Sequence, residues 1–178
     1  MILEILTYPD KRLREVCKTV TDFGPAFQKQ VDDMFETMYD APGLGLAAIQ
    51  VGIFQRFMVM DVGINEGEIV KKNPLVIVNP KIISKEGKIE WEEGCLSCPD
   101  LVVPTERSKK IELEYQDREG KNCKLTAEDL TAVCIQHEID HLDGILIFDK
   151  LSRLKQDLYK QKLKKEASDS KPKRPIVR

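Results

Sequence analysis

The sequence of 178 residues lacks any run of about 18 apolar residues, the length that predicts a membrane-spanning helix. Its first residues show no basic stretch, no long apolar run and no small-residue cleavage site, so we expect no secretory signal. Five cysteines, an odd number, argue against a disulfide framework. Together these absences predict a protein of the reducing cytoplasm that does not interact with membranes.

The two signs of charge are unevenly distributed. Residues 1–149 contain 17 Lys and Arg against 27 Asp and Glu, a net charge of −10. Residues 150–178 contain 11 against 3, a net charge of +8. Such a basic segment is most often a solvated helix face and less often a contact with nucleic acid.

Hydrophobic residues make up 42% of the chain, which excludes a wholly disordered protein and predicts one domain with a real core. A helix with one apolar stripe follows Gly24-Pro25 and ends near Gly43. The segments 56–62 and 75–84 are rich in β-forming residues, and 109–115 forms a hairpin with 121–125.

Two helices are predicted to end the domain. Thr126 and the acids after it indicate a helix start, so the first runs from there to about Leu142. The second runs from Lys150 to about Lys165 and places Leu151, Leu154, Leu158 and Leu163 inward. We therefore expect an α+β fold, with small antiparallel or mixed sheets around a central helix, over residues 1–167. Residues 168–178 are expected to be a disordered basic tail.

His137-Glu138-Ile139-Asp140-His141 is the most specific chemical pattern, an HExxH motif on a predicted helix. Its histidines are the only two in the chain, and a spacing of four residues puts both on one helical face. Leu130, Val133 and Cys134 continue that face, so the imidazoles point into the body, where a metal ion would satisfy them. The competing interpretation is a helix with two core or surface histidines.

A catalytic metal site needs a third ligand and an open position. Ile147 stands where a metzincin would have its third histidine, and Glu166, the candidate of the zincin type, lies in the basic C-terminal helix. Cys95 is therefore the strongest candidate. Its spacing to Cys98 also allows redox chemistry, although no helix is predicted to follow, and a zinc ribbon would need a second CxxC.

The segment 43–50, GLGLAAIQ, is rich in glycine and ends at Gln50. Its glycines permit a backbone to lie against a ligand, and the Gln50 amide could stabilise a developing oxyanion. Taken alone, the segment is more typical of a buried turn.

GLGLAAIQ, EGCLS and QHEIDH, in this order and at these separations, closely resemble the three signature motifs of peptide deformylases. The resemblance extends over about the first 165 residues. It implies an enzyme that removes the formyl group from the formyl-methionine of newly made proteins and releases formate. One divalent metal would be bound, Fe²⁺ in the cell, with Zn²⁺, Ni²⁺ or Co²⁺ in purified protein.

The resemblance also implies a role for each motif residue. Cys95, His137 and His141 would bind the metal, and Glu138 would be the general base and acid. Gln50 and the Leu96 N–H would form the oxyanion hole. The remaining residues would bind substrate: Gly45 through its backbone, and Leu44, Leu130, Val133 and Cys134 around the methionine side chain.

One position departs from the family pattern. Cys98 stands where these enzymes commonly carry an aliphatic residue, which places a second thiol near the expected metal ligand.

The functions left open are a metallopeptidase, argued from HExxH alone, and a structural metal module with a closed fourth ligand. The basic C-terminus is predicted to help the enzyme dock on ribosomes without reading nucleic-acid sequence.

Overall fold

The computed structural model of the protein describes residues 1–170. Its helices are α1 (Pro25–Asp40), α2 (Asp129–Leu142) and α3 (Arg153–Asp169). Its strands are β1 (Gly45–Ala47), β2 (Phe57–Met60), β3 (Ile64–Glu66), β4 (Ile69–Lys71), β5 (Leu75–Glu86), β6 (Ile89–Cys95), β7 (Cys98–Arg107), β8 (Lys110–Gln116) and β9 (Asn122–Glu128). Short 3₁₀ helices cover Lys11–Arg14, Ala48–Val51 and Ile147–Lys150.

The main sheet has five antiparallel strands in the order β1-β2-β5-β8-β9. Helices cover both of its faces. Phe57 and Val59 of β2 pack in the cluster that contains Met34 of α1, whereas Met58 packs in the cluster that contains Ile135 of α2. Because side chains alternate along a strand, this arrangement explains why β2 is apolar along its whole length. The α+β prediction is confirmed.

The β6–β7 hairpin forms a separate two-stranded sheet beside α2. A third apolar cluster attaches it to the body, with Cys98 and Val103 packed among Leu146, Phe148 and Tyr159. This hairpin carries Cys95 at its turn, so its attachment determines where that thiol lies. Three of the four residues 90–93 are exposed, so this part of β6 lacks the apolar pattern from which the other strands were predicted.

The predicted start of α2 was wrong by three residues. Thr126 lies in β9 and pairs with Glu112 of β8, and the helix begins at Asp129. A hydroxyl followed by acids suits a helix start, but here the hydrogen bonds of the sheet continue through Glu128. The predicted end at Leu142 is confirmed, with Gly144 following in the left-handed conformation.

The prediction for the last helix was wrong in its start and in two of the four leucines of its buried face. It begins at Arg153, after Ser152 as its cap. Leu154 and Leu158 are 69% and 55% exposed, whereas Tyr159 is buried. The centre of the buried face is Tyr159, whose ring is tilted against Phe148, and Leu151 and Leu163 pack partly buried against the same cluster.

The predicted tail is also partly corrected, since Ser168 and Asp169 belong to α3. The rest of that prediction, from residue 171 on, lies outside the described residues. No helix within residues 1–170 has the length and apolar character needed to cross a bilayer.

Candidate metal centre

Three potential metal ligands meet at the floor of a cleft. His137 and His141 project from α2, and Cys95 is the last residue of β6. The Nε2 atoms of the two histidines lie 3.2 Å apart, and the Cys95 Sγ lies 3.2 Å from His141 Nε2. Within the described residues, these three are the one group of three or more donors whose atoms all fall within 4.8 Å of one another.

This geometry suits a tetrahedral metal ion. Ligand bonds of about 2.0 Å to nitrogen and 2.3 Å to sulfur place neighbouring ligand atoms little more than 3 Å apart. Both histidines are buried, and burial with the nearby His137 lowers the pKa of His141 well below its ordinary value. The neutral imidazole therefore offers a lone pair, and three protein donors leave one position open.

Glu93 fixes the orientation of His137. Its Oε1 lies 2.8 Å from His137 Nδ1, so the other ring nitrogen faces the cleft. Arg107 donates two hydrogen bonds to Glu93, both of 2.8 Å, and Thr105 donates a third short one. Burial opposes ionisation of Glu93, but these hydrogen bonds outweigh it and hold its pKa well below the ordinary value. Ionised Glu93 therefore accepts the Nδ1–H of His137.

The same arginine extends the network back to α2. Arg107 also donates to Asp140 at 2.5 Å, and its own side chain is almost fully buried. Glu93, Arg107 and Asp140 were not predicted as site residues. Glu93 and Asp140 belong to the EGCLS and HEIDH motifs, but Arg107 lies on β7 and carried no comparable signal in the sequence.

Glu138 lies beside the ligands in a confined space. A Cβ added to Gly45 would fall 2.8 Å from Glu138 Oε1 and 2.9 Å from Cys134 Sγ, so glycine is required there by this close approach. Burial raises the pKa of Glu138 to about 7. Its Oε2 has no hydrogen-bond partner within residues 1–170, which leaves that oxygen free for a ligand.

Gln50 is buried beside Cys95, one of the three potential metal ligands. Its Oε1 accepts the Ala47 N–H at 2.9 Å, and its Nε2 donates to the Ser97 hydroxyl at 3.0 Å. The Nε2 atom also lies 3.8 Å from the Cys95 sulfur. An amide donor therefore stands next to the candidate metal centre.

The cleft has a volume of about 630 Å³. Its wall contains every residue that the sequence predicted for substrate binding, namely Leu44, Gly45, Leu130, Val133 and Cys134. Gln50, Cys95, Leu96, His137 and Glu138 also line it, whereas His141 lies behind them. Trp91 and Val102 of the β6–β7 hairpin form the outer wall and were not predicted, because that hairpin was not recognised as β structure.

An HExxH helix whose histidines meet a thiol from a β-hairpin, in a cleft with a free carboxylate, defines a metal-dependent hydrolase. Residues 2–157 match the family model described as polypeptide deformylase. The chain therefore belongs to the polypeptide deformylase family, and it is an enzyme that removes the N-formyl group from nascent peptides.

Individual relatives agree with this assignment over almost the whole chain. A peptide deformylase of Bartonella quintana is 48% identical over 178 residues, covering 99% of both chains. A crystal structure of a peptide deformylase from Legionella pneumophila is 43% identical, with a TM-score of 0.86 over 97% of this chain and 100% of that one. One from Ehrlichia chaffeensis, in complex with actinonin, is 42% identical, with a TM-score of 0.86 over 93% and 97%.

Proposed function

We propose that Cys95, His137 and His141 bind the metal ion on which this deformylase depends, and that the ion in the cell is Fe²⁺. The observation that carries the proposal is the approach of one sulfur and two imidazole nitrogens to 3.2 Å contacts on the cleft floor. When bound, the ion supplies Lewis acidity, which acidifies water and polarises a carbonyl oxygen. A thiolate with two imidazoles also accepts Zn²⁺, Ni²⁺ or Co²⁺, so purified protein can carry any of these.

Glu138 is the proton carrier in this proposal. Its carboxylate lies one residue from His137 on α2 and has an oxygen without a partner, so it takes the proton of the attacking water. It then returns that proton to the leaving amine of the methionine. Gln50 Nε2 and the Leu96 N–H donate to the formyl oxygen as negative charge develops there.

The methionine side chain occupies the inner cleft. Leu44, Leu130, Val133 and Cys134 provide an apolar wall, and the backbone of Gly45, at the edge of the main sheet, pairs with the substrate backbone as an added strand. Because α2 crosses closely over Gly45, the space beside Glu138 suits a formyl group and excludes an ordinary peptide bond. We further propose that residues 1–167 form the single catalytic domain and act in the cytoplasm.

Metal analysis of anaerobically purified protein, combined with formate release from a formyl-methionyl peptide, tests the ligand assignment. We expect Cys95→Ala, His137→Ala and His141→Ala each to lose metal and formate release together. Cys123→Ala, which removes a thiol on β9, is the matched control and should keep both. Retention of metal by any of the three ligand variants would contradict the assignment. Cleavage of an internal peptide bond would instead favour a metallopeptidase.

The basic C-terminal segment is proposed to contact the ribosome. Lys160, Lys164 and Lys165 of α3 are exposed, as is Lys155 nearer its start, whereas Lys162 already pairs with Asp100 and Glu166. Exposed lysines bind phosphates without reading base sequence, and the acidic body would keep the cleft away from RNA. Lys171, Lys173 and Arg174 belong to the same sequence-level proposal but lie outside the described residues.

Charge reversal tests this contact without exposing the core. Changing Lys155, Lys164 and Lys165 to Glu should weaken ribosome co-sedimentation at low salt and leave cleavage of a short formyl-methionyl peptide unchanged. The control changes three lysines of the β8–β9 region to Glu: Lys109, Lys121 and Lys124. Co-sedimentation that is indifferent to the α3 changes and to salt would reject the proposal.

A further inference from the structure

We propose that Ser97 is a positioning residue that fixes the side-chain amide of Gln50 in the orientation required for catalysis. The proposal rests on the donor role proposed above for Gln50. Ser97 is fully buried and does not line the cleft, so it acts through Gln50 rather than on substrate.

The two ends of the Gln50 amide have unlike partners. Its Oε1 accepts the Ala47 backbone N–H at 2.9 Å, and its Nε2 donates to the Ser97 Oγ at 3.0 Å. If the amide flipped by 180°, the NH₂ group would face the Ala47 N–H, where both are donors. Ala47 thus excludes the flipped state, and Ser97 supplies the acceptor that stabilises the observed one.

The Ser97 hydroxyl uses one of the two hydrogens on Gln50 Nε2. The other side of the nitrogen faces the Cys95 sulfur at 3.8 Å, a distance too long for a strong hydrogen bond. This second hydrogen therefore remains available to an oxyanion beside the metal ligands. Without Ser97 Oγ, the NH₂ group would keep only the distant sulfur as a partner, and its position toward the substrate oxygen would no longer be fixed.

The backbone around Ser97 and Gln50 is fixed independently of the serine side chain. Leu6 N–H donates to the Gln50 carbonyl, and Tyr8 N–H donates to the Ser97 carbonyl, both at 2.7 Å. The Ser97 N–H lies 3.4 Å from the Cys95 sulfur. The N-terminal segment thereby ties the 3₁₀ helix that carries Gln50 to the turn that carries Leu96. Removing the Ser97 hydroxyl should consequently leave the turn, Cys95 and the metal in place.

Ser97→Ala is the direct test, because alanine fits the space and lacks only the hydroxyl. We expect kcat for formate release to fall on the order of 10- to 100-fold, as for other misplaced catalytic groups, with KM changed by less than about twofold. Metal content should equal that of the parent. In ¹⁵N spectra of Zn²⁺-loaded protein, the Gln50 side-chain NH₂ signals should shift and exchange faster with water. Ser97→Thr, which restores the hydroxyl, should recover most of kcat.

A double-mutant cycle with Gln50→Ala separates this proposal from the one on which it rests. Gln50→Ala should lower kcat by about 10²- to 10³-fold, and adding Ser97→Ala should lower it no further. An undiminished kcat in Gln50→Ala would refute the donor role itself. A large effect of Gln50→Ala together with a parent-like Ser97→Ala, or with independent effects of the two changes, would overturn the role of Ser97.

Thr37→Val controls for the loss of a buried hydroxyl as such. Thr37 accepts the Leu3 N–H and donates to the Asp33 carbonyl, and it is not among the residues that line the cleft. This variant should lower thermal stability while leaving kcat and the Gln50 signals unchanged. If Ser97→Thr does not fold, the double-mutant cycle and the Gln50 signals still decide the question.

Discussion

His137 Nδ1 and Glu93 Oε1 lie 2.8 Å apart, and this contact connects the metal centre to a buried ion pair. Glu93 is 5% exposed and is held on its other side by Arg107. A ligating histidine is normally oriented by such a carboxylate, which also increases its basicity toward the metal. The contact gives the β6–β7 hairpin a second role besides supplying Cys95.

We expect Glu93→Gln to weaken metal binding by about 10- to 100-fold, because the neutral amide accepts the His137 proton less strongly. Competition with a chelator measures the change. Glu90→Gln, on an exposed position of the same strand, is the control and should bind metal like the parent. Equal affinity in the Glu93 and Glu90 variants would contradict the role of Glu93.

Cys95 and Cys98 are cross-strand partners at the end of the β6–β7 hairpin, and both line the cleft. The Cα separation of such partners, about 4.5–5.5 Å, lies within the range that a disulfide spans. In metal-depleted protein we expect hydrogen peroxide to convert the two thiols to one disulfide, with two waters as the other product. Thiol counting and peptide mass measure it. Two unchanged thiols would exclude this pairing.

The same pair is expected to set the oxidative lifetime of the loaded enzyme. Activity should decay in air with Fe²⁺ and persist with Ni²⁺ or Zn²⁺, because Fe²⁺ reacts with oxygen beside the Cys95 thiolate. Cys98→Ala should slow the decay of the Fe²⁺ form. If that variant loses activity as fast as the parent, the second thiol has no part in the process.

Asp61 couples the start of the β3–β4 hairpin to α1. Burial opposes its ionisation, but hydrogen bonds from the Tyr39 hydroxyl and from the Asn73 and Gly63 amides outweigh it and lower its pKa. The ionised group therefore stabilises the fold above its unfolded pKa of about 4, and that contribution is lost as pH falls through the lower folded value.

Tyr39→Phe should accordingly destabilise the protein at pH 7 by about 1.5–3 kcal/mol, the typical effect of a hydrogen bond to a charged group. Denaturant unfolding at several pH values measures it. The difference from the parent should shrink as pH falls through the folded pKa of Asp61, where the carboxylate becomes protonated in the folded state. A difference that stays constant down to the pH of acid unfolding would show that the carboxylate is not involved.

The exposure of the side chains along α3 predicts a large loss of stability for one substitution and almost none for another. Tyr159→Ala should cost about 3–5 kcal/mol, because the ring is buried against Phe148 and its hydroxyl donates to the Pro99 carbonyl. Leu154→Gln should stay within about 0.5 kcal/mol of the parent, since Leu154 is largely exposed. Urea unfolding of both variants tests this, and a large loss in Leu154→Gln would place the leucine in an interface.

The sequence was sufficient where the signal is local. The start of α1 at Pro25 and the HExxH face of α2 follow from spacing alone. The sequence was insufficient where contacts with distant residues determine where an element begins or which of its side chains are buried. Thr126 looked like a helix cap because its pairing with Glu112 depends on the whole sheet, and Leu154 looked buried because the anchor of α3 is an aromatic contact.

The residues of the candidate site likewise divide into those that the sequence predicts and those that only the fold brings together. The motifs contain the three potential ligands, Glu138 and Gln50, and the structure places four of the five in the wall of one cleft, with His141 directly behind them. The supporting residues were harder to find. Arg107 reaches Glu93 only because β6 and β7 pair, and the role of Ser97 depends on a 3₁₀ helix 47 residues earlier in the chain.

We propose that metal ligation and proton transfer are divided between two sets of side chains, with Cys95 and the two histidines as ligands and Glu138 as the proton carrier. Bound Zn²⁺ or Ni²⁺ and formate release, measured on the same preparation of Glu138→Gln, test it most directly. We predict one metal ion per chain, as in the parent, with formate release from a formyl-methionyl peptide lowered by about 10²- to 10⁴-fold. Loss of the metal, or activity close to the parent with the metal retained, would contradict the account.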